Sequence, residues 1–306
     1  MKPLLPPALR EGDAVALISP AGPLSSDEEF VRAEEIVRSL GLVPRIGRYA
    51  KSKRGYLAGT DEERAADFND AARDPEVRGI FALRGGYGTM RILGAIDYDA
   101  LAANPKVVLG YSDLTAMLNA ITQRTGLVTF HGPVAALSKF TENETAWLRR
   151  AVMRSEPLGE LEAAGANTML PGSARGPLRG GNLSLVAALA GTPYEIDMSG
   201  AVMVIEEIEE APYRIDRMLT QLRLSGALSR IAGVLVGRCA NCDVGEDHPY
   251  AAMPLAKTLA DRLGDLGVPV ITDLPVGHEG EQWTLPLGLE ARINDGRVFI
   301  DSAAVR

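Results

Sequence analysis

The sequence predicts a two-domain α/β protein whose first domain is a mostly parallel, doubly wound sheet. The chain has 306 residues, which is long for a single hydrophobic core. Short apolar runs alternate with amphipathic helical patterns through its first half, as in a parallel sheet covered by helices on both faces. A stretch rich in glycine, proline and alanine follows. We therefore expect an N-terminal α/β domain over residues 1–155, a linker over 156–180 and a smaller α+β domain over 181–306.

The first half contains five predicted strands and clear helix starts. Ser26 with Glu29, and Thr60 with Glu63, have the spacing of a capping box and predict two helix N-termini. The apolar runs predict buried strands over residues 14–20, 42–47, 79–86, 107–112 and 126–133. In such a sheet, ligands bind beyond the carboxyl ends of the strands.

The second half predicts a mixed sheet with fewer helices. Helical patterns occupy "NLSLVAALAG", "APYRIDRMLTQLRLSG" and residues 252–263, and apolar strands occupy "AVMVIEEI", "IAGVLVG" and "PVITDLPVG". Two short strands are expected at the end. No internal repeat or low-complexity tract occurs.

Composition excludes several classes of function. The net charge is -8, aromatic residues make up 5% of the chain and basic residues are scattered, so nucleic acid is not an expected partner. No apolar run approaches the ~18 residues that a membrane span needs. The N-terminal "MKPLLPPALREGD" lacks the pattern of a secretory signal, and we expect a cytoplasmic protein.

The two cysteines, Cys239 and Cys242, form a Cys-x-x-Cys motif. This spacing suits a redox pair or half of a zinc site. Zinc would need two more ligands, and a redox motif usually opens a helix, whereas this one follows a strand. We interpret the pair as two thiols in a polar loop and expect neither a metal nor a cofactor.

Ser112 is the best-placed candidate nucleophile. It follows an apolar strand and Gly110, and it precedes an amphipathic helix whose free N–H groups could stabilise an oxyanion. The G-x-S-x-G pattern of α/β-hydrolases is not completed, because its last position is Leu114. The local sequence alone therefore favours a helix-capping serine over a nucleophile. Ser19 and Ser184 are weaker alternatives.

A serine nucleophile needs a base, and the chain has three histidines. His278 follows an apolar strand and a glycine, and His131 is placed in the same way in the first domain. His248 lies in an acidic loop. His278 and His131 both remain candidates at this level.

Four acids follow the strand "VMVIEEIEE", and one of them could orient the base. Glu206 and Glu207 end the strand, and Glu209 and Glu210 come just beyond it. A single inward carboxylate would hold the imidazole in the required tautomer. A solvated turn is the alternative, and without a second acidic cluster a metal site is not expected.

The segment "LRGGYGTMRIL" is a glycine-rich turn between a strand and a helix. It matches neither G-x-G-x-x-G nor a P-loop. Such an open loop can still bring backbone amides close to a bound carbonyl.

Together, five motifs in order resemble the LD-carboxypeptidase family of serine peptidases, which includes muramoyltetrapeptide carboxypeptidases and microcin C immunity peptidases. The motifs are "LRGGYG", "GYSDLTA", "GGNLS", "IEEIEEAPYRIDRMLTQL" and "VGHEGEQWTLPLG", and they span almost the whole chain. The resemblance implies a Ser112–Glu206–His278 triad. It also implies an N-terminal α/β domain, a swivelling β-rich C-terminal domain, and a cytoplasmic homodimer.

The resemblance implies further site residues. The oxyanion hole would consist of backbone N–H groups of Gly85 or Gly86 and of Asp113. Residues that flank the motifs are candidate substrate contacts, with packing or surface roles as the alternative: Arg84, Tyr87, Asn182 and Trp283.

The substrate implied by the resemblance is a murein tetrapeptide, which loses its terminal D-alanine at an L,D bond without metal or cofactor. Two other hypotheses stay open. The same triad could hydrolyse an aminoacyl-nucleotide of the microcin kind, or the fold could be a non-catalytic binding module.

Overall fold

The computed structural model describes residues 2–135, 140–243 and 253–306, so His248 lies outside the described residues. The strands are β1 Ala14–Ile18, β2 Val43–Ile46, β3 Val77–Ala82, β4 Val107–Gly110, β5 Thr129–His131, β6 Gly159–Glu160, β7 Asn167–Leu170, β8 Ser173–Asn182, β9 Val202–Ile208, β10 Gly233–Ala240, β11 Val270–Gly277, β12 Leu285–Leu287, β13 Glu290–Asn294 and β14 Arg297–Ile300. The α-helices are α1 Asp27–Ser39, α2 Asp61–Arg73, α3 Thr89–Ile92, α4 Tyr98–Ala103, α5 Thr115–Thr125, α6 Glu142–Met153, α7 Leu183–Leu189, α8 Pro212–Leu224 and α9 Leu255–Leu263. Each helix in these ranges is too short or too polar to span a lipid bilayer.

The chain divides into two compact units. Unit 1 contains Met1–Pro157, Trp283–Gly288 and Ala303–Arg306, and unit 2 contains Leu158–Gln282 and Leu289–Ser302. The chain thus returns to unit 1 late in the sequence, through β12 and the C-terminus.

Unit 1 is built on a six-stranded sheet in the order β12-β5-β4-β3-β1-β2. The five N-terminal strands are mutually parallel, and β12 adds an antiparallel edge beside β5. The predicted α/β class and mostly parallel sheet are confirmed. From β1 the chain moves to β2 on one side and to β3 on the other. The carboxyl ends of β1 and β3 therefore form a topological switch point, where doubly wound folds bind ligands.

The two predicted capping boxes have different outcomes. At α2 the box is present: the Glu63 N–H donates to the Thr60 hydroxyl, and the Thr60 N–H donates to the Glu63 carboxylate at 2.8 Å. At α1 the prediction is wrong, because the Glu29 carboxylate accepts from the Ser25 N–H instead. The Ser26 hydroxyl donates to the Glu28 carboxylate, which lowers the pKa of that group.

Unit 2 is built on an eight-stranded mixed sheet in the order β6-β14-β13-β8-β9-β10-β11-β7. Its centre, β8 to β11, is parallel, and β7 and the β13–β14–β6 edge are antiparallel.

Residues 156–180, expected to form a linker, contain β6, β7 and most of β8. The glycines in β8 serve close strand packing, because a Cβ at Gly176 would lie 2.0 Å from the Gly200 carbonyl oxygen. A Cβ at Gly180 would lie 2.2 Å from the Val204 oxygen. Glycine content therefore indicated backbone contact here, not a flexible connection.

Candidate active site

Ser112 occupies a left-handed turn at the end of β4. Tyr111 is extended, and Ser112 then has φ = 61°, a conformation that costs a non-glycine residue about 1–2 kcal/mol. A short 3-10 turn, Ser112–Leu114, leads into α5. The N-cap positions of the 3-10 turn and of α5 are occupied by Tyr111 and Leu114, so Ser112 is the N-cap of neither and the helix-cap interpretation is wrong. Strain at a half-exposed hydroxyl is characteristic of a nucleophile held on a tight turn.

Gly110 and Leu114 explain why this turn departs from the G-x-S-x-G pattern. A Cβ at Gly110 would lie 2.6 Å from the Leu114 Cγ, so glycine is needed for the leucine to fold back over the strand end. Leu114 is 2% exposed and takes the space beside Gly110. The tight turn is therefore built with one glycine and a buried leucine.

The "GGYG" loop lies against the Ser112 side chain. A Cβ at Gly85 would be 3.0 Å from the Ser112 Cβ and 3.2 Å from its Oγ, an approach that only glycine allows without displacement. The Gly85 carbonyl accepts a hydrogen bond from the Gly22 N–H at 3.0 Å. Because a trans peptide holds C=O and N–H antiparallel, the Gly86 N–H points away from Gly22.

Asp113 ties the "GGYG" loop to the serine turn. Its buried carboxylate accepts from the Thr89 N–H at 2.8 Å, and the Thr89 hydroxyl donates to the Asp113 carbonyl at 2.5 Å. Burial raises the pKa of Asp113, and the bonds to Thr89 oppose that rise. The two turns are thereby held at a constant separation, which preorganised oxyanion donors require.

A cleft of about 800 Å³ opens beside this loop at the switch point of unit 1. Its walls come from the segments that follow β1 and β3 and from the segment that follows β2. Arg84 and Tyr87, predicted as substrate contacts, both line it. So do Lys53 and Tyr56, which no sequence motif marked. Their loop carries no recognisable pattern, and only the fold brings it to the cleft.

In unit 2, Glu206 and His278 are hydrogen-bonded. The His278 Nδ1 lies 2.8 Å from the Glu206 Oε2, and the Glu206 side chain is fully buried. A catalytic triad uses the same arrangement, an imidazole oriented by a buried carboxylate, for its base and its acid.

Glu207 has a different task from Glu206, because neighbouring strand residues face opposite ways. Its carboxylate accepts from the Asn182 side-chain amide and the Ser184 N–H, each at 2.8 Å, and from the Ile208 N–H at 2.9 Å. Glu207 therefore anchors the start of α7. The choice of Glu206 as the orienting acid is consistent with this arrangement.

Two predicted substrate contacts, Asn182 and Trp283, are 3% and 2% exposed. The Asn182 side chain also accepts from the Leu185 N–H at the start of α7. Trp283 lies in unit 1, with its ring 6.1 Å from that of Trp147. Burial favours a packing role for both residues.

The alternative serines have structural partners. The Ser19 hydroxyl donates to the Ala50 carbonyl at 2.9 Å, and the Ser184 hydroxyl lies 3.3 Å from the Met218 sulfur. Neither is held on a left-handed turn.

His131, the alternative base, is 1% exposed and lies on β5 opposite Gly110. Its ring meets the Tyr111 ring edge-on at 6.3 Å. Its position in unit 1 keeps it as a candidate to be separated from His278 by experiment.

Cys239 and Cys242 are not joined by a disulfide. Cys239 lies on β10 opposite Glu207, and the Cys242 N–H closes a turn onto the Cys239 carbonyl. A hydrogen bond with the Cys242 thiol, together with burial, raises the pKa of Cys239. Across the described ranges, no three histidine, cysteine or acidic side chains are grouped as metal ligands would be.

Comparison with known proteins places these features in a family. The model of the LD-carboxypeptidase N-terminal domain matches residues 15–132, and that of the C-terminal domain matches residues 175–293. The chain belongs to the LD-carboxypeptidase family. It is accordingly a serine-type peptidase of that family, and the predicted resemblance is confirmed.

The relatives of this LD-carboxypeptidase include murein peptide carboxypeptidases and a microcin self-immunity protein. A probable murein peptide carboxypeptidase of Bacillus subtilis is 38% identical over 94% of this chain and 91% of its own. The murein tetrapeptide carboxypeptidase of Pseudomonas aeruginosa is 31% identical over 93% of this chain and 94% of its own. The microcin C7 self-immunity protein MccF of Escherichia coli is 26% identical over 95% and 93%.

A solved structure supports the fold. The crystal structure of a muramoyltetrapeptide carboxypeptidase from Oxalobacter formigenes aligns with a TM-score of 0.82 at 29% identity, covering 95% of this chain and 99% of that one.

Proposed function

We propose that this enzyme is a serine carboxypeptidase that removes the terminal D-alanine of murein tetrapeptides by cleaving an L,D-peptide bond. The observation that carries the proposal is the left-handed Ser112 turn, packed against Gly85. The names of two relatives, a murein peptide and a murein tetrapeptide carboxypeptidase, support the substrate class. The reaction belongs to peptidoglycan recycling.

Acyl transfer accounts for the chemistry. The Ser112 Oγ attacks the carbonyl carbon before D-alanine, while His278 accepts the hydroxyl proton. N–H groups of Gly86 (or Gly85) and Asp113 stabilise the oxyanion. The C–N bond then breaks, and His278 returns the proton to the leaving amine. Water attacks the resulting ester by the same route in reverse and restores the serine.

The hydrogen bond between Glu206 and His278 supports these roles for the pair. A carboxylate on Nδ1 leaves the other ring nitrogen to exchange the proton, and it stabilises the imidazolium that forms.

The test is a tetrapeptide assay read by mass spectrometry. Wild-type protein should release one D-alanine, and Ser112→Ala should reduce kcat by about 10⁴-fold or more. Ser184→Ala is the matched control and should keep wild-type kcat. A phosphonylating serine probe should label the wild type at Ser112 alone. An unchanged tetrapeptide at high enzyme concentration would overturn the substrate.

The identity of the base is tested separately. His278→Gln should reduce kcat by about 10³-fold or more, and His131→Gln should affect kcat far less. The opposite ranking would assign the base to His131.

The second candidate substrate is an aminoacyl-nucleotide. It is supported by the likeness to MccF and by Tyr56 and Tyr87, exposed aromatic residues in the cleft that could stack on a base. Trp283, a predicted substrate contact, is buried. Comparing kcat/KM for a tetrapeptide and for an aspartyl-adenylate amide separates the two substrates.

We also propose that the enzyme is a cytoplasmic homodimer, as the family resemblance implies. Sedimentation equilibrium and cell fractionation test these two points.

A further inference from the structure

The charged side chains that line the cleft in unit 1 are all positive. Two cations, Lys53 and Arg84, line it together with two exposed aromatic rings, Tyr56 and Tyr87, whose centroids are 5.6 Å apart. The lining includes no acidic side chain. A concave surface with one sign of charge focuses the electrostatic field and attracts an oppositely charged ligand.

Several cations of unit 1 are paired with carboxylates, whereas Lys53 and Arg84 form no ion pair among the described residues. Lys51 is paired with Asp27, and both Arg64 and Arg91 are paired with Asp61.

Within the described part of the chain, Lys53 and Arg84 make only long bonds to backbone oxygens. The Lys53 Nζ donates to the Ser25 carbonyl and the Arg84 guanidinium to the Pro23 carbonyl, each at 3.3 Å. Among the described residues, no carboxylate lies within 4.0 Å of either cation. The pKa of Asp27 is lowered mainly by its hydrogen bond with Lys51, and the charge of Lys53 contributes least to this shift. Both charges therefore remain available to a ligand.

The cleft also lies close to the nucleophile. Gly86 is one of its lining residues, and the preceding residue, Gly85, is the one packed on Ser112. Consecutive Cα atoms are 3.8 Å apart, and an extended peptide advances about 3.3–3.6 Å per residue. A group bound by the cleft would thus belong to a residue within a few positions of the cleaved bond.

We propose that Lys53 and Arg84 form a carboxylate-binding subsite that selects peptide substrates by a free carboxylate near the cleaved bond. This inference rests on the proposed function. The planar guanidinium of Arg84 can bind a carboxylate through two parallel bonds, and the ammonium of Lys53 adds a point charge. Tyr56 and Tyr87 flank the carboxylate with apolar ring faces. The carboxylate belongs either to the terminal D-alanine or to a side chain on the acyl side, as in diaminopimelate.

The experiment measures peptide binding by calorimetry in a Ser112→Ala background, where no turnover occurs. Three peptides are compared: a diaminopimelate-containing tetrapeptide, the same peptide with a C-terminal amide, and the same peptide with lysine in place of diaminopimelate. Arg84→Gln and Lys53→Gln are added singly. Arg91→Gln is the matched control, because it removes a charge that is also exposed but is already paired with Asp61.

Arg84→Gln and Lys53→Gln should each weaken binding of the full peptide by about 10-fold, and Arg91→Gln should change it by less than about 2-fold. For the one peptide that lacks the recognised carboxylate, affinity should already be lower, and the two variants should have no further effect. If the two variants no longer weaken binding of the C-terminal amide, the subsite binds the terminal carboxylate. If they no longer weaken binding of the lysine peptide, it binds the diaminopimelate carboxylate.

Equal weakening for all three peptides, no weakening in either variant, or no binding of any peptide would overturn the subsite. The proposed function fails by a different result, namely that wild-type protein releases no D-alanine. Carboxylate-dependent binding in the Ser112→Ala background would survive that failure. Conversely, cleavage by the wild type with charge-independent binding would reject the subsite alone.

Discussion

Substitution of Gly85 by alanine tests whether the "GGYG" loop positions the nucleophile. The new Cβ would lie 3.0 Å from the Ser112 Cβ and 3.2 Å from its Oγ. Carbon atoms in contact prefer about 3.5–4.0 Å, so the loop and the serine must separate by about 0.5–1 Å. A 1 Å misplacement near a reacting centre can cost about 100-fold in rate. We therefore expect kcat to fall about 10- to 100-fold, equivalent to about 1.4–2.7 kcal/mol of transition-state stabilisation.

The assay is steady-state D-alanine release, combined with urea denaturation. Overpacking typically costs about 1–3 kcal/mol, so a moderate loss of stability is expected beside the kinetic loss. Gly79→Ala is the control, because its Cβ would be similarly crowded, 3.3 Å from Val15 and 3.4 Å from Phe81, but far along the sheet from any reacting group. Gly79→Ala should lose stability and keep kcat. If Gly85→Ala keeps kcat within about 2-fold while losing stability, the loop does not position Ser112.

Further substitutions test the remaining assignments. Glu206→Gln should lower kcat by about 10³-fold or more with little change in the free energy of unfolding, whereas Glu207→Gln should destabilise by about 2 kcal/mol because its amide meets N–H donors. Equal effects on kcat would contradict this division. Asp113→Ala leaves the Thr89 N–H without its acceptor. It should lower kcat and reduce the free energy of unfolding by about 2 kcal/mol. An unchanged urea midpoint would show that Asp113 does not tether the two turns. Burial raises the pKa of Asp67 to about 6, so the folded state retains a proton that the unfolded chain loses near pH 4. Stability should therefore fall by on the order of 1–2 kcal/mol between pH 4 and 6 and level off above, and Asp67→Asn should abolish this slope in urea titrations.

The alternation of strands and helices, the class of the fold and the family were predictable from the sequence, because hydrophobic periodicity and local turn chemistry are written into short segments. Four strands of unit 1 fall within the predicted runs, and the fifth, β3, overlaps its run but begins at Val77. The Thr60 capping box forms as its spacing indicates. The Ser26 box has the same spacing and does not form, because competing carboxylates next to it take the hydroxyl and the neighbouring N–H. The local sequence pattern identifies possible hydrogen-bond partners, but it does not show which of them forms the bond.

Glycine shows most clearly what the sequence could not decide. The glycines of residues 156–180 predicted a linker, yet two of them, Gly176 and Gly180, admit neighbouring backbone at a distance that no side chain would permit. Likewise, Gly85 has meaning only because Ser112 lies beside it. A glycine-rich sequence is equally compatible with a flexible connection and with a close backbone contact. Only the position of the neighbouring backbone in the fold distinguishes the two.

The sequence by itself determined which residues are chemically capable: a serine after a buried strand, a histidine after another, and a row of acids. Tertiary structure decided how they are used. Ser112 lies on a left-handed turn and does not cap the helix. Because neighbouring strand residues face opposite ways, Glu206 is hydrogen-bonded to His278 and Glu207 to the start of α7. Lys53 lines the cleft although its loop carries no recognisable sequence motif. Each of these outcomes depends on contacts between residues distant in the chain, which local spacing does not encode.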